Sequence, residues 1–255
     1  MLESLEQNNI KRMAVETPEK AEFDIEIEFT KEDWEAAVND IHKILYSGMV
    51  GGLGFALEEA IRLRKIKPDL DLKFAEPDIL NLKEALKTHD KPEEYANYVI
   101  LADQIRTLFG DEIAAEITQE HIKGANDNLK DCLIHKYSFG GYAPVTEIIY
   151  HMRKLGLPIE PNLEKEAMGF LQEQQIPEDM NEVWNNVAPV VKWKYLFPDI
   201  SWQNPTARRE KLIEYVRGHD NWGQKLQYLE ELLEFGMLQP DLGQNHTEMP
   251  EQKQF

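Results

Sequence analysis

Cysteine is almost missing from this chain. Cys132 is the single one among 255 residues, so no intrachain disulfide and no multi-cysteine zinc site can form. Long apolar runs are missing too, since no stretch approaches the ~18–20 residues that a transmembrane helix needs. Met1 to Glu6 carry acids in place of an apolar or Arg-rich leader, the pattern of neither a signal nor a transit peptide. Base is scarce beside acid: 28 Lys and Arg face 47 Asp and Glu, a net charge of −19. Such a surface repels the phosphate backbone and anionic membrane. These absences lead us to expect a soluble, cytoplasmic protein with no membrane or direct nucleic-acid partner. A basic protein is the partner that its charge suits.

Reaction signatures are missing as well. No Gly-x-Ser-x-Gly elbow and no His-Glu-x-x-His occurs. None of the 7 histidines follows a Glu by three residues, the spacing a di-iron bundle uses. No metal and no cofactor is expected, and no residue is assigned a catalytic role. Gly48-Met49-Val50-Gly51-Gly52-Leu53-Gly54 precedes a helical run but follows another helix, with no Lys-Ser/Thr after it. It reads as a tight helix–helix turn, not as a phosphate cradle.

What is present is ordinary globular material, 42% hydrophobic and 29% charged, enough for one large or two small domains. Helical periodicity dominates. Thr30 opens the first run, with Glu32 and Asp33 in its first turn and apolar residues at Trp34, Val38, Ile41, Ile44 and Leu45. Ser47-Gly48 closes it, and Phe55 to Lys65 follows. Further runs fall at 77–88, 92–109, 111–123, 126–136, 143–155, 162–174, 178–188, 205–217 and 222–236. Nine of the 13 prolines precede Asp, Glu or Asn. That suits a helix start, where the missing N–H costs nothing and an acid meets the positive helix end. Pro77-Asp78, Pro92-Glu93 and Pro177-Glu178 are read this way. Leu155-Gly156 and Phe235-Gly236, each followed by a proline, read as recurring helix-exit chemistry.

Two segments alternate with period two: Phe23 to Phe29 with acids between its apolar residues, and Val191 to Tyr195 with lysines. Opposite charge across two strands favours pairing by up to ~1 kcal/mol per pair. A small ribbon is therefore expected, with a helix through 191–196 or an unpaired acidic strand as the alternatives. The fold expected is mainly α, an irregular multi-helix domain of about ten helices with one small two-stranded β-ribbon. Its parts are a flexible acidic arm (1–22), an N-terminal helical bundle with a leading strand (23–139), a C-terminal aromatic-rich part of the same compact unit (140–243) and a disordered tail (244–255).

Candidate chemistry is sparse. Cys132 and His135 share a helix face, as do Glu147 and His151. The first pair could make a thiolate and the second a ligand pair. A core cysteine and a surface i, i+4 pair are the preferred readings. Trp184, Trp193, Trp202 and Trp222, four of the 5 tryptophans, fall within residues 184–222. Trp193, Tyr195, Trp202, Arg208, Arg209, His219 and Trp222 are the candidate ligand- or partner-binding residues, because Trp, Tyr and Arg dominate binding hot spots. A second apolar core is the competing account of the same aromatics. The function expected first is a non-enzymatic, acidic helical interaction or adaptor protein that binds a basic partner. The alternative is a helical enzyme or small-ligand binder with an aromatic and Arg pocket in 184–222. An acidic mimic of nucleic acid ranks last, because the later helices interleave Lys and Arg with Glu.

Overall fold

A computed structural model of the chain describes residues 27, 29–47, 52–111, 113, 116–135, 142–173, 190–199 and 205–237. The protein is mainly helical: these residues hold ten α-helices, one 3-10 turn and no strand. No helix among them is long and apolar enough to cross a membrane.

Local chemistry sets the helix ends. In α1 (Lys31–Tyr46) the Thr30 hydroxyl accepts from the Asp33 N–H at 3.2 Å. The Asp33 carboxylate accepts from the Thr30 N–H at 2.9 Å in return, a reciprocal cap that satisfies two orphan donors. After α2 (Gly52–Ile66), Pro77 sits in the first turn of α3 (Glu76–Thr88), and Asp78 accepts from the Ala75 N–H at 2.7 Å. A 3-10 turn (Pro92–Glu94) leads into α4 (Tyr95–Phe109), which stops at Gly110 with φ of 79°. Only glycine adopts that region without strain.

The two runs expected at 111–123 and 126–136 are in fact one helix, α5 (Gln119–Ile134), capped by Thr118. Gly124 does not break it. A Cβ at Gly124 would overlap the Tyr95 ring, so the glycine lets α4 and α5 approach closely. α6 (Ala143–Lys154) and α10 (Trp222–Glu234) end alike, at Gly156 and Gly236, both with φ of 66°. In each the next residue donates back into the last turn, Leu157 N–H to Met152 O at 2.9 Å and Met237 N–H to Leu232 O at 2.7 Å. This is the expected exit chemistry. The remaining helices are α7 (Pro161–Gln172), α8 (Val190–Leu196) and α9 (Pro205–Gly218). The helix expected at 178–188 lies outside the described residues, as do the arm and the tail.

Two apolar clusters organise the helices. The first joins α1, α2 and α3 to α9 and α10, so the last helices pack on the first. The second joins α5, α6, α7 and α8. Helix α4 serves both, with Leu101, Ala102, Ile105 and Leu108 in the first cluster and Ala96 and Val99 in the second.

The β-ribbon is not formed by the expected segments. Residues 191–195 are helical, inside α8. Five residues are too few to separate a period of two from one of 3.6, and Val190, Trp193 and Leu196 are buried at helical spacing. Of the acidic segment only Ile27 and Phe29 are described, and both pack on the first cluster.

Candidate functional site

The structure scatters the expected binding residues. Trp193 is buried in the second cluster and donates its indole N–H to Thr146 Oγ1 at 3.0 Å. Tyr195, half exposed, sets its ring edge-on against Tyr150 at 5.1 Å. Arg208 is buried and makes a two-pronged pair with Glu231, at 2.8 and 3.0 Å. Arg209 donates to Met237 O at 3.1 Å. His219 stacks on Tyr215 at 5.4 Å. Trp222 lies in the first cluster, 6.0 Å from Trp34. Trp202 lies outside the described residues. Trp222 also edges an open depression of about 730 Å³ with Asn39, His42, Tyr46 and Asp220.

The chemistry concentrates elsewhere, in a buried seam of alternating charge where α2, α4, α6, α8 and α10 meet. Lys65 pairs with Glu234 and, at 3.4 Å, with Glu230. Glu230 takes Arg62 Nε at 3.1 Å, and Arg62 Nη2 reaches Glu58 at 2.6 Å. Lys192 bridges Glu58 at 2.9 Å and Glu147 at 2.5 Å. His151 stands between Glu147, 3.4 Å from Nε2, and Asp103, 2.7 Å from Nδ1. Lys154 closes the row on Asp103 at 2.9 Å and donates to Thr107 Oγ1 at 2.8 Å.

Helical spacing builds this seam from the sequence. Glu58 with Arg62, Glu147 with His151 and Glu230 with Glu234 are i, i+4 neighbours on one face. The expectation of a surface pair at Glu147 and His151 is corrected: His151 is only 2% exposed. Partners arriving from two other helices, Asp103 of α4 and Lys192 of α8, make the difference, and no local pattern shows them.

Burial and pairing compete along the seam. Burial pushes the Glu58 carboxyl up, but Arg62 and Lys192 together outweigh it and hold it at about 2. Asp103 is likewise lowered, its burial overcome by His151 and Lys154. For Lys192, burial is overcome by Glu58 and Glu147, which strengthen its hold on the proton. Glu59, next in sequence, goes the other way. Burial lifts its carboxyl to about 7 against the pull of Arg62, with Asp40 and Glu58 adding to the rise. Its carboxylate sits where a Cβ on Gly223 would stand.

The Asp103–His151 pair has the form of an oriented general base. Its surroundings give no room for a substrate. The adjoining cavity, lined by Glu58, Arg62, Tyr150, Lys192 and Glu230 among others, measures about 30 Å³, room for little more than water. Every cation of the seam is held by carboxylate. The seam reads as a clamp that fixes five helices.

A larger cleft of about 420 Å³ opens between α4, α5 and α6. Its apolar walls are Ala96, Ile100, Pro144 and Ile148, and Glu93, Asp131 and Glu147 bring carboxylates to it. Among the described residues no lysine, arginine or histidine lines it. Glu147 is held by Lys192, whereas Glu93 and Asp131 are exposed and make no ion pair among the described residues. Cys132 also lines the cleft, half buried. Burial and the neighbouring Asp131 raise its thiol, which makes it a poor nucleophile. His135 is exposed at the helix end, its ring on Asp131 O at 3.0 Å, so the two do not form a reactive pair. Among the described residues no group of three or more His, Cys, Asp and Glu is arranged to hold a metal ion. Sequence reading passed over Glu93, Asp131 and most of the seam. The i, i+4 spacings of Glu58 with Arg62 and Glu230 with Glu234 are the local signal of the seam; no spacing marks Glu93 or Asp131.

Comparison with known proteins finds no match, whether to a family model, a curated sequence or a solved structure.

Proposed function

We propose that this chain is a non-enzymatic, acidic helical interaction protein that docks a basic protein partner in the cleft between α4, α5 and α6. The observation that carries the reading is the lining of that cleft, an apolar floor with exposed carboxylates and, among the described residues, no basic side chain. A lysine or arginine on an apolar segment complements such a surface, lodging its stem against the floor and its charge at the rim. The net charge of −19 adds long-range attraction for the same partner. Cytoplasmic residence fits this reading.

The test is affinity capture with the full chain and with its Glu93→Lys/Asp131→Lys form, at low and physiological salt. Basic proteins retained by the first and lost by the second support the reading. Equal retention by both, or none by either, contradicts it. The alternative, a small-ligand pocket in 184–222, has thinner support. Trp193 and Trp222 lie in different apolar clusters, and Arg208 is engaged by Glu231.

A further inference from the structure

We propose that the 30 Å³ cavity in the seam is a binding site for a single water molecule, hydrogen-bonded to His151 Nε2. His151 is 2% exposed, and its Nε2 is buried without a hydrogen bond. The Glu147 carboxylate lies 3.4 Å from it, in ionic contact but without hydrogen-bond alignment. Nδ1 is already engaged by Asp103. A buried polar nitrogen left in that condition costs about 1–3 kcal/mol. Water serves Nε2 in either protonation state, donating to its lone pair or accepting from its N–H.

Size and charge select water over other small ligands. The cavity of about 30 Å³ exceeds the roughly 10–15 Å³ that a buried water needs and is far too small for a larger ligand, and a buried water needs roughly 2–4 polar partners. Glu58, Glu230 and Tyr150 line the cavity beside His151, and their polar atoms are the partners we assign to the water. Tyr150 stays a neutral donor: burial raises its pKa, and the carboxylates of Glu230, Asp103, Glu58 and Glu147 raise it further. An anion is disfavoured because Arg62, Lys154 and Lys192 each already hold a carboxylate. Ile61 and Val191 add apolar lining beside these groups. The bound molecule ties α6 to α2 and α10 at the point where direct pairing leaves a gap.

Two measurements on the full chain test this. A crystal structure that resolves ordered solvent is expected to show one density peak within ~3.2 Å of His151 Nε2, with no anomalous signal after a bromide soak. A dry cavity, or a bromide peak in it, overturns the proposal. In solution, oxygen-17 relaxation dispersion counts long-lived internal waters. Val191→Ile narrows the cavity and is expected to remove one water's amplitude while the chain still melts cooperatively. An unchanged amplitude in that folded variant overturns the proposal as well.

Discussion

The seam and the cleft both gather carboxylates, yet they use them in opposite ways. In the seam Glu58, Glu230, Glu147 and Asp103 are each locked to a cation from another helix or the next turn. In the cleft Glu93 and Asp131 face outward with no ion pair among the described residues. Glu147 belongs to both regions, lining the cleft while it holds Lys192. The same residue type thus closes the molecule in one place and leaves charge for a partner in the other. The difference comes from which helices converge, not from local composition.

Breaking the seam should have the largest effect. Lys192→Met leaves the part-buried Glu58 and Glu147 without their shared cation, Glu58 keeping only Arg62. The expected loss is about 3–5 kcal/mol of folding stability, read from urea unfolding. A loss below ~1 kcal/mol would mean the seam is as dispensable as a surface pair. Gly124→Ala comes next. The added methyl meets the Tyr95 ring, and forcing α4 from α5 should cost about 1–3 kcal/mol and loosen one wall of the cleft. A variant that melts like the parent would show that the two helices have room to adjust.

The adjacent pair Glu58 and Glu59 sharpens the contrast through pH. Glu58 is held at about 2, below its ordinary 4.5. Its contribution is present above pH 4.5 and is lost as pH falls toward 2. Glu59 is raised to about 7 from the same ordinary value. Its contribution is full below pH 4.5 and is lost as pH rises through 7. Melting curves across pH should therefore show Glu59→Gln more stable than the parent at pH 8, with the gap closing toward pH 4.5. Glu58→Gln should be less stable at pH 7, with its gap closing toward pH 2. Parallel curves for either variant would refute that assignment. The smallest effect on stability belongs to the cleft rim. Glu93→Lys and Asp131→Lys should each shift it by no more than about 0.5 kcal/mol, so any binding defect they show is not a folding defect.

Sequence periodicity made most helices legible, with their ends marked by Thr30, Pro77 and the glycines at 156 and 236. It failed where a signal was short or depended on distant partners. Val191 to Tyr195 alternates and is nonetheless helical, because Trp193 and Leu196 find one apolar cluster and Lys192 finds two carboxylates. Glu58 and Arg62 stand four residues apart on one helix. Their third partner, Glu230, is 168 residues beyond Arg62, a distance that periodicity does not bridge. The aromatics of 184–222 read as one cluster along the chain. In space Trp193 and Trp222 lie in different cores, since α9 and α10 fold back onto α1 and α2. The cleft's acids were invisible for another reason: among 47 acidic residues, only the fold tells which ones stand beside apolar walls without a counterion.

The most direct test of the account uses Cys132, the only cysteine and a wall of the cleft. A fluorophore there reports on occupancy while an amphipathic peptide of leucine and lysine is titrated against the full chain over a range of salt. The account predicts binding that weakens as salt rises and that falls about tenfold, or ~1.4 kcal/mol, in Glu93→Lys/Asp131→Lys. Equal affinity for parent and variant, or no binding even at low salt, would contradict it.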